Sequence, residues 1–321
     1  MKKTTISIII PTFNYEKFIK RAIDSVLNQN LLPLELIIID DGSTDKTEAL
    51  VFRYINQELP IALDYYKKEN QGVGAARNDG AGYARGDYIL FLDADDELLP
   101  DALENLAEPF QHHSELGLVL GQGINVNKDE EPIIKKNQFL YSEPITNFKT
   151  YLDKNIFIAN ISCLLIKRAV FKKIDFPAHL RVSEDRCVFA QLLALYRGAS
   201  IGKPVIRLYY HDDSLSNSSH EFTVNYGLEV VDAIFNPQIL PKRFLKYKDS
   251  YYTYRCLSLF RRCYKLGYYR SADNYYRLAL KNNIMTLFKY SHLGKYVRMK
   301  LKSLFLKGKG DPDGRNNPLF P

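Results

Sequence analysis

A chain of 321 residues with 46% hydrophobic side chains is long enough for a large buried core and too apolar to be intrinsically disordered. No apolar run approaches the ~18 residues of a membrane-spanning helix, and the four cysteines (Cys163, Cys187, Cys256 and Cys263) lack CxxC spacing, which points to reduced cytosolic thiols. The net charge of +7 is uneven: residues 241–310 hold 18 Lys and Arg against Asp249 and Asp273, or +16, which leaves −9 for the rest.

That basic stretch also carries 11 of the 23 tyrosines. A basic, Tyr-rich block on an acidic body suggests an anionic partner. A solvated helical face with its tyrosines in a core has the same composition. At the other end, Met1-Lys2-Lys3 leads into apolar residues that stop at Pro11, with no small-residue cleavage site behind them. The segment therefore reads as a strand and not as a signal peptide.

In chain order, residues 6–10 form a short apolar run closed by Pro11, a strand signal. Phe18, Ala22, Ile23, Val26 and Leu27 then recur at helical spacing. Residues 34–39 read as a second strand, and residues 46–56 as a helix capped by Thr44 or Asp45. Residues 63–66 look like a third strand, 73–84 a helix of small residues, and 88–92 a fourth strand. Such alternation predicts a mostly parallel sheet with helices on both faces. Ligands of such sheets sit at the carboxyl ends of the strands, so residues 11–14, 40–45 and 93–96 are expected to converge. The middle is less regular, with strands expected at 162–166 and 205–210 and a helix over 184–196. From about residue 226 the pattern turns helical and basic, and the Gly- and Pro-rich tail from Lys307 is expected to be disordered.

The tetrad Asp93-Ala94-Asp95-Asp96 follows the fourth strand directly. Carboxylates at i and i+2 can hold one hard divalent cation and leave positions open for phosphates. An EF-hand is excluded, because Leu98 stands where that loop requires glycine. In Asp40-Asp41-Gly42-Ser43 a carboxylate could accept from a nucleobase imide; a βα turn with an aspartate cap explains the same residues. The stretch from Gln71 to Asn78 is not a Rossmann fingerprint, since Arg77 occupies the third glycine's place; it reads as a close-packed helix start with Arg77 available to a phosphate or base. Ser183-Glu184-Asp185 opens a helix, either as a cap with dipole-favoured acids or as a general base at a cleft. His211, with Ser214 and Ser216 close behind, is either structural or a ligand of pyrophosphate or metal.

Taken in order, Ser7-Ile8-Ile9-Ile10-Pro11-Thr12-Phe13-Asn14, Asp40-Asp41-Gly42-Ser43, the stretch from Asn70 to Asn78, the Asp93 tetrad, Glu184-Asp185 and His211 with Ser214-Leu215-Ser216 resemble the inverting family 2 glycosyltransferases of GT-A fold. The resemblance covers about residues 5–220. It implies an α/β, Rossmann-like GT-A domain over residues 1–225, followed by a basic helical module over 226–307 and a flexible tail over 308–321. It implies that Pro11, Thr12, Phe13 and Asn14 cradle a nucleobase and that Asp41 reads its imide. Asn70, Gly72 and Arg77 fall in the nucleotide-binding stretch. Asp93 lies on the ribose side with Ala94 beside it among the donor-binding residues, Asp95 is a metal ligand with Asp93 and His211, and His211 and Ser214 lie at the pyrophosphate. Asp185 is the implied base. The implied cofactor is Mn²⁺ or Mg²⁺, with a UDP-sugar as donor and a saccharide or lipid-linked acceptor.

Processive membrane synthases of this family carry a Gln-x-x-Arg-Trp motif. This chain has no Trp, and Gln191 is followed by Leu192-Leu193-Ala194, so addition of one or a few sugars is expected. The expected setting is bacterial surface polysaccharide or glycoconjugate synthesis in the cytoplasm. Residues 292–307 form a basic amphipathic pattern suited to the anionic inner membrane face. The rival is a module that packs on the catalytic domain or forms a homo-oligomer; no nucleic-acid recognition motif accompanies the charge. A nucleotidyltransferase, or a non-catalytic nucleotide-sugar-binding scaffold, are the alternative functions.

Overall fold

The computed structural model describes residues 4–126, 132–134, 139–153, 156, 158–180, 183–209, 227–288 and 290–305. The chain divides into two compact units, residues 1–179 with 184–212, and residues 180–183 with 213–321.

In the first unit β1 (Ile6–Thr12), β2 (Glu35–Asp40), β3 (Ala62–Lys67) and β4 (Tyr88–Phe91) alternate with α1 (Ile19–Leu27), α2 (Thr47–Ile55) and α3 (Val73–Tyr83). The four strands run parallel in the order β3-β2-β1-β4. Every residue of β1 and β2 is buried, which is why both read as unbroken apolar runs. The small residues of α3 let it lie close on this sheet. A Cβ added at Gly80 would stand 2.4 Å from Ile9 Cγ2.

Beyond β4 the pattern changes. The chain continues through β5 (Glu97–Leu98), α4 (Ala102–His112), β6 (Leu116–Val126), β7 (Pro132–Ile134), α5 (Pro144–Leu152), β8 (Leu164–Lys167), α6 (Glu184–Leu195) and β9 (Arg197–Tyr209). β8 is antiparallel to both β4 and β6, β9 is parallel to β6, and β5 and β7 are antiparallel additions. Among the described residues the result is one nine-stranded sheet, and it is mixed rather than mostly parallel. A parallel neighbour needs a long crossover, usually helical. The strand–helix alternation that signalled such crossovers stops near residue 84, and the sheet's mixed half begins just after it.

The second unit contains α7 (Glu229–Ile234), α8 (Lys242–Leu245), α9 (Lys248–Leu266), α10 (Tyr269–Asn282) and α11 (Tyr290–Phe305). α9 ends in a Schellman motif: Gly267 takes φ +81°, Tyr268 N–H donates to the Cys263 carbonyl at 2.9 Å, and Gly267 N–H to Tyr264 at 3.4 Å. The turn folds α10 back on α9 around Cys256, Phe260, Cys263, Tyr275, Tyr276 and Met299. Two tyrosines of the basic block thus belong to a core, and Tyr276 stacks on Tyr296 of α11 at 4.1 Å. All four cysteines are buried free thiols. Among the described residues no helix is long and apolar enough to cross a membrane. The tail from residue 307 lies outside the described residues.

Candidate active site

The carboxyl ends of β1, β2 and β4 meet. Pro11 and Thr12 end β1 in the interior, and Thr12 Oγ1 is buried without a hydrogen-bond partner. Phe13 follows, 42% exposed. Asn14 adopts a left-handed conformation (φ 58°), and its side chain ties this loop to the next one. Its Oδ1 accepts from Thr44 N–H at 2.8 Å, while its own N–H donates to Ser43 Oγ at 2.9 Å. Asparagine tolerates this conformation better than most residues, so the loop geometry explains its place.

Asp41 is buried. Its Oδ1 accepts from Gln71 N–H at 2.9 Å and its Oδ2 from Gly72 N–H at 2.7 Å. The carboxylate expected to read a nucleobase therefore secures the 70–72 loop and sits at the amino end of α3, where the helix dipole favours negative charge. Gly42 needs its positive φ of +89°, since a Cβ there would lie 3.1 Å from the backbone nitrogen of Asn70. Asn70 and Gly72 are exposed.

The acidic turn leaves β4 with its three carboxylates differently disposed. Asp93 Oδ1 pairs with Arg77 Nη2 at 2.8 Å, and its Oδ2 accepts from Asn160 Nδ2 at 2.9 Å. The Asp93 backbone N–H donates to Ser162 Oγ at 3.1 Å. Asp96 is buried and accepts from the same Asn160 amide at 2.9 Å and from Tyr209 N–H at 3.3 Å. Burial, then the charges of Asp95 and Asp93, push its carboxyl well above the usual range. Ala94 is buried, whereas Asp95 is half-buried, and Arg21 donates to its carbonyl while lying 3.5 Å over the Tyr209 ring. Tyr15 belongs to the same cluster: burial raises its phenol, and Asp95, Asp93 and Asp96 raise it further.

Arg77, expected at the nucleotide, is turned inward between two acids. It is 5% exposed and spans from Asp93 to Glu184, reaching Glu184 Oε1 with Nη1 at 2.8 Å. Glu184 and Asp185 form the first turn of α6, behind Ser183 in a left-handed conformation (φ 68°). Asp185 is half-buried; burial alone would lower the Arg77 guanidinium, but the charges of Asp93, Glu184 and, last, Asp185 raise it. Asp93, Arg77 and Glu184 are thus one hydrogen-bonded group, with the Asp185 charge beside it. His211 and Ser214 lie outside the described residues.

Asn160, Asp96, Glu184, Tyr15 and Arg21 join the site without having been singled out as site residues. Asp96 and Glu184 were within reach, inside the acidic tetrad and beside Asp185. Asn160 carries no signal, because it meets Asp93 and Asp96 only across 67 and 64 residues of chain.

Among the described residues, no group of three or more His, Cys, Asp or Glu side chains is arranged to hold a metal ion by itself. The acidic turn nevertheless suits one. Asp93 pairs with Arg77, Asp96 is buried with its carboxyl pushed up, and Asp95 is half-buried at the turn. One or two carboxylates completed by substrate phosphates and water is the usual magnesium arrangement.

A half-parallel sheet that brings an acidic turn, the β1 loop and an acid-headed helix together has the architecture of a GT-A-type glycosyltransferase. Residues 7–175 match the profile of glycosyl transferase family 2, more than half of the chain, and the protein belongs to that family. It is an enzyme that transfers a sugar from a nucleotide-sugar donor, so the nucleotidyltransferase and scaffold alternatives fall. An uncharacterized glycosyltransferase of Haemophilus influenzae is 36% identical over 178 residues, 55% of this chain and 68% of the relative. The minor teichoic acid biosynthesis protein GgaB of Bacillus subtilis is 40% identical over 181 residues, 56% of this chain but 20% of GgaB. The crystal structure of S. aureus TarS 1-349 in complex with UDP-GlcNAc matches with a TM-score of 0.66 over 94% of this chain and 92% of that one, at 19% identity, a likeness of fold.

Proposed function

We propose that this glycosyltransferase is inverting and metal-dependent, moving a sugar from a UDP-sugar to an acceptor hydroxyl in bacterial surface polysaccharide or glycoconjugate synthesis. The observation that supports the reading is the buried Asp93–Arg77–Glu184 bridge, which ties the acidic turn to the residue next to Asp185. The carrier is supported by TarS, seen with UDP and with UDP-GlcNAc, and the setting by GgaB and by a poly(ribitol-phosphate) beta-glucosyltransferase of Bacillus spizizenii, 31% identical over 185 residues.

Phe13 and the unpartnered Thr12 hydroxyl receive the nucleoside at the end of β1. Asp95 would hold Mn²⁺ or Mg²⁺, with Asp93 and His211 as further candidates, and the ion would offset the charge gathering on the departing diphosphate. Asp185 accepts the proton of the acceptor hydroxyl as that oxygen attacks the anomeric carbon from the face opposite the diphosphate. The carbon–phosphate-oxygen bond breaks in the same displacement, so an α-linked donor yields a β-glycoside. Residues 1–225 carry this chemistry.

Calorimetric titration with UDP-, GDP- and dTDP-sugars, in Mn²⁺ and in EDTA, tests the reading. Expected is metal-dependent binding of the UDP series, weakened about tenfold or more in Asp95→Ala, as for loss of a charge-assisted ligand worth ~1.5–3 kcal/mol. Equal binding in EDTA, or by Asp95→Ala, would remove the metal role.

The basic module over 226–307 is assigned to the anionic cytoplasmic face of a membrane, close to a lipid-linked acceptor. On α11, Val297 and Leu301 are 48% and 51% exposed one turn apart with Arg298 between them, while Met299 is buried in the module's core. Exposed apolar side chains among cations suit an anionic bilayer surface better than a soluble polyanion. The protein is expected to co-sediment with phosphatidylglycerol vesicles, less at high salt and less as Val297→Glu/Leu301→Glu, and not with phosphatidylcholine vesicles. Self-association without vesicle binding would assign that face to an oligomer instead.

A further inference from the structure

The ion pair between Arg77 and Glu184 takes no part in the chemistry just described, yet it occupies the centre of the site. Arg77 lies on α3, Glu184 heads α6 and Asp93 opens the acidic turn, so a single guanidinium joins three elements. Each contact is 2.8 Å. The two forked nitrogens face different carboxylates, a geometry that a lysine's point charge cannot reproduce. Burial, followed by the charge of Asp185, raises the Glu184 carboxyl, and Arg77 opposes that rise. Without Arg77, acids at positions 93, 184 and 185 would stand together uncompensated.

Two further contacts hold α3 against the chain leading into α6. Asn78 Nδ2 donates to the Phe176 carbonyl at 2.7 Å, and its Oδ1 accepts from Phe176 N–H at 2.8 Å. A Cβ on Gly74 would lie 3.4 Å from Phe176 Cβ and 3.5 Å from Glu184 Cγ, so the two segments already touch. The site thus has a rigid spacer between the acidic turn and the residue next to Glu184.

We infer that Arg77 and Glu184 are positioning residues: the Asp93–Arg77–Glu184 bridge sets where the Asp185 carboxylate stands relative to the donor. The inference rests on the reading of Asp185 as the base. It assigns Glu184 an effect on turnover and none on donor affinity, because Glu184 acts on the far side of Arg77 from the acidic turn.

The test compares Glu184→Ala and Glu184→Gln with the unsubstituted enzyme, measuring kcat, donor KM, donor Kd by calorimetry and the melting temperature. In Glu184→Ala, kcat is expected to fall about a hundredfold, the scale of a ~1 Å misplacement of a catalytic group, with donor Kd changed less than about threefold. Glu184→Gln keeps an oxygen for Arg77 and is expected to recover most of that loss. An unchanged kcat in folded Glu184→Ala, or a loss confined to donor Kd, would overturn the inference. A lowered melting temperature with unaltered kcat below it would also overturn it, leaving a purely structural pair. Should Glu184→Ala fail to fold, Glu184→Gln and Glu184→Asp decide, because a bridge shortened by one methylene must still lower kcat without touching donor Kd. Full transfer by Asp185→Asn would sink the base reading separately, whatever the Glu184 variants do.

Discussion

Asp185→Asn is expected to lower kcat for sugar transfer about a thousandfold while donor affinity stays within a factor of about three, a general base being worth roughly 10²–10⁴ in rate. The substitution preserves shape and removes the proton acceptor. Asp185 stands in the first turn of α6, half-buried, next to a glutamate bound to the arginine that also holds Asp93. It therefore adjoins the residue tied to the acidic turn, and its own hydrogen bond is with the Arg186 N–H rather than with that turn. Single-turnover transfer assays beside calorimetry check both halves of the statement. Transfer at the full rate would exclude Asp185 as the base; loss of donor binding in step with kcat would make it a donor ligand.

Phe91→Ala is expected to destabilise the first unit by about 4 kcal/mol, the range found when a fully buried phenylalanine is cut to alanine. Phe91 ends β4, with only Leu92 between it and the acidic turn, and is wholly buried. Its ring meets Phe171 and Phe176 edge-on, with centroids 5.4 and 5.2 Å away. Those rings are part of the foundation of the site, since the Arg77 guanidinium lies over Phe176 at 5.3 Å and Asn78 clamps the Phe176 backbone. The cavity left by Phe91 would loosen both stability and geometry. Urea unfolding with an unchanged m-value should register the stability loss, and the melting temperature should drop by roughly 10 °C. A loss under about 1 kcal/mol would mean that Phe171 and Phe176 refill the space, at odds with a core packed at crystal-like density.

The glycines of β6 show why part of the fold escaped notice in the sequence. Leu116–Val126 reads Leu-Gly-Leu-Val-Leu-Gly-Gln-Gly-Ile-Asn-Val, and glycine normally weakens a strand. Here an added Cβ would meet Tyr196 at 2.6 Å from Gly117, Val205 at 2.4 Å from Gly121 and Leu208 at 2.7 Å from Gly123. The gaps in the pattern are filled by neighbours that become neighbours only on folding. The same holds for the antiparallel placement of β8, a four-residue strand whose sequence says nothing of its direction.

Local chemistry determined the first half of this protein. Unbroken apolar runs and helical spacing set β1 to β4, and their alternation was enough to bring residues 11–14, 40–45 and 93–96 to one sheet edge, where they are found. The identity of the acidic turn and of the acid-headed helix could likewise be read from residue types alone. Tertiary structure decided what those residues do to one another. Arg77 is buried between two carboxylates, one of them 107 residues away. Asp41 accepts from two loop amides about thirty residues further along the chain. Asp96 is buried and its carboxyl pushed up, whereas Asp95, adjacent to it, is half-buried. A charged group's role depends on the desolvation and partners it finds, and those come from chain segments that sequence spacing does not relate.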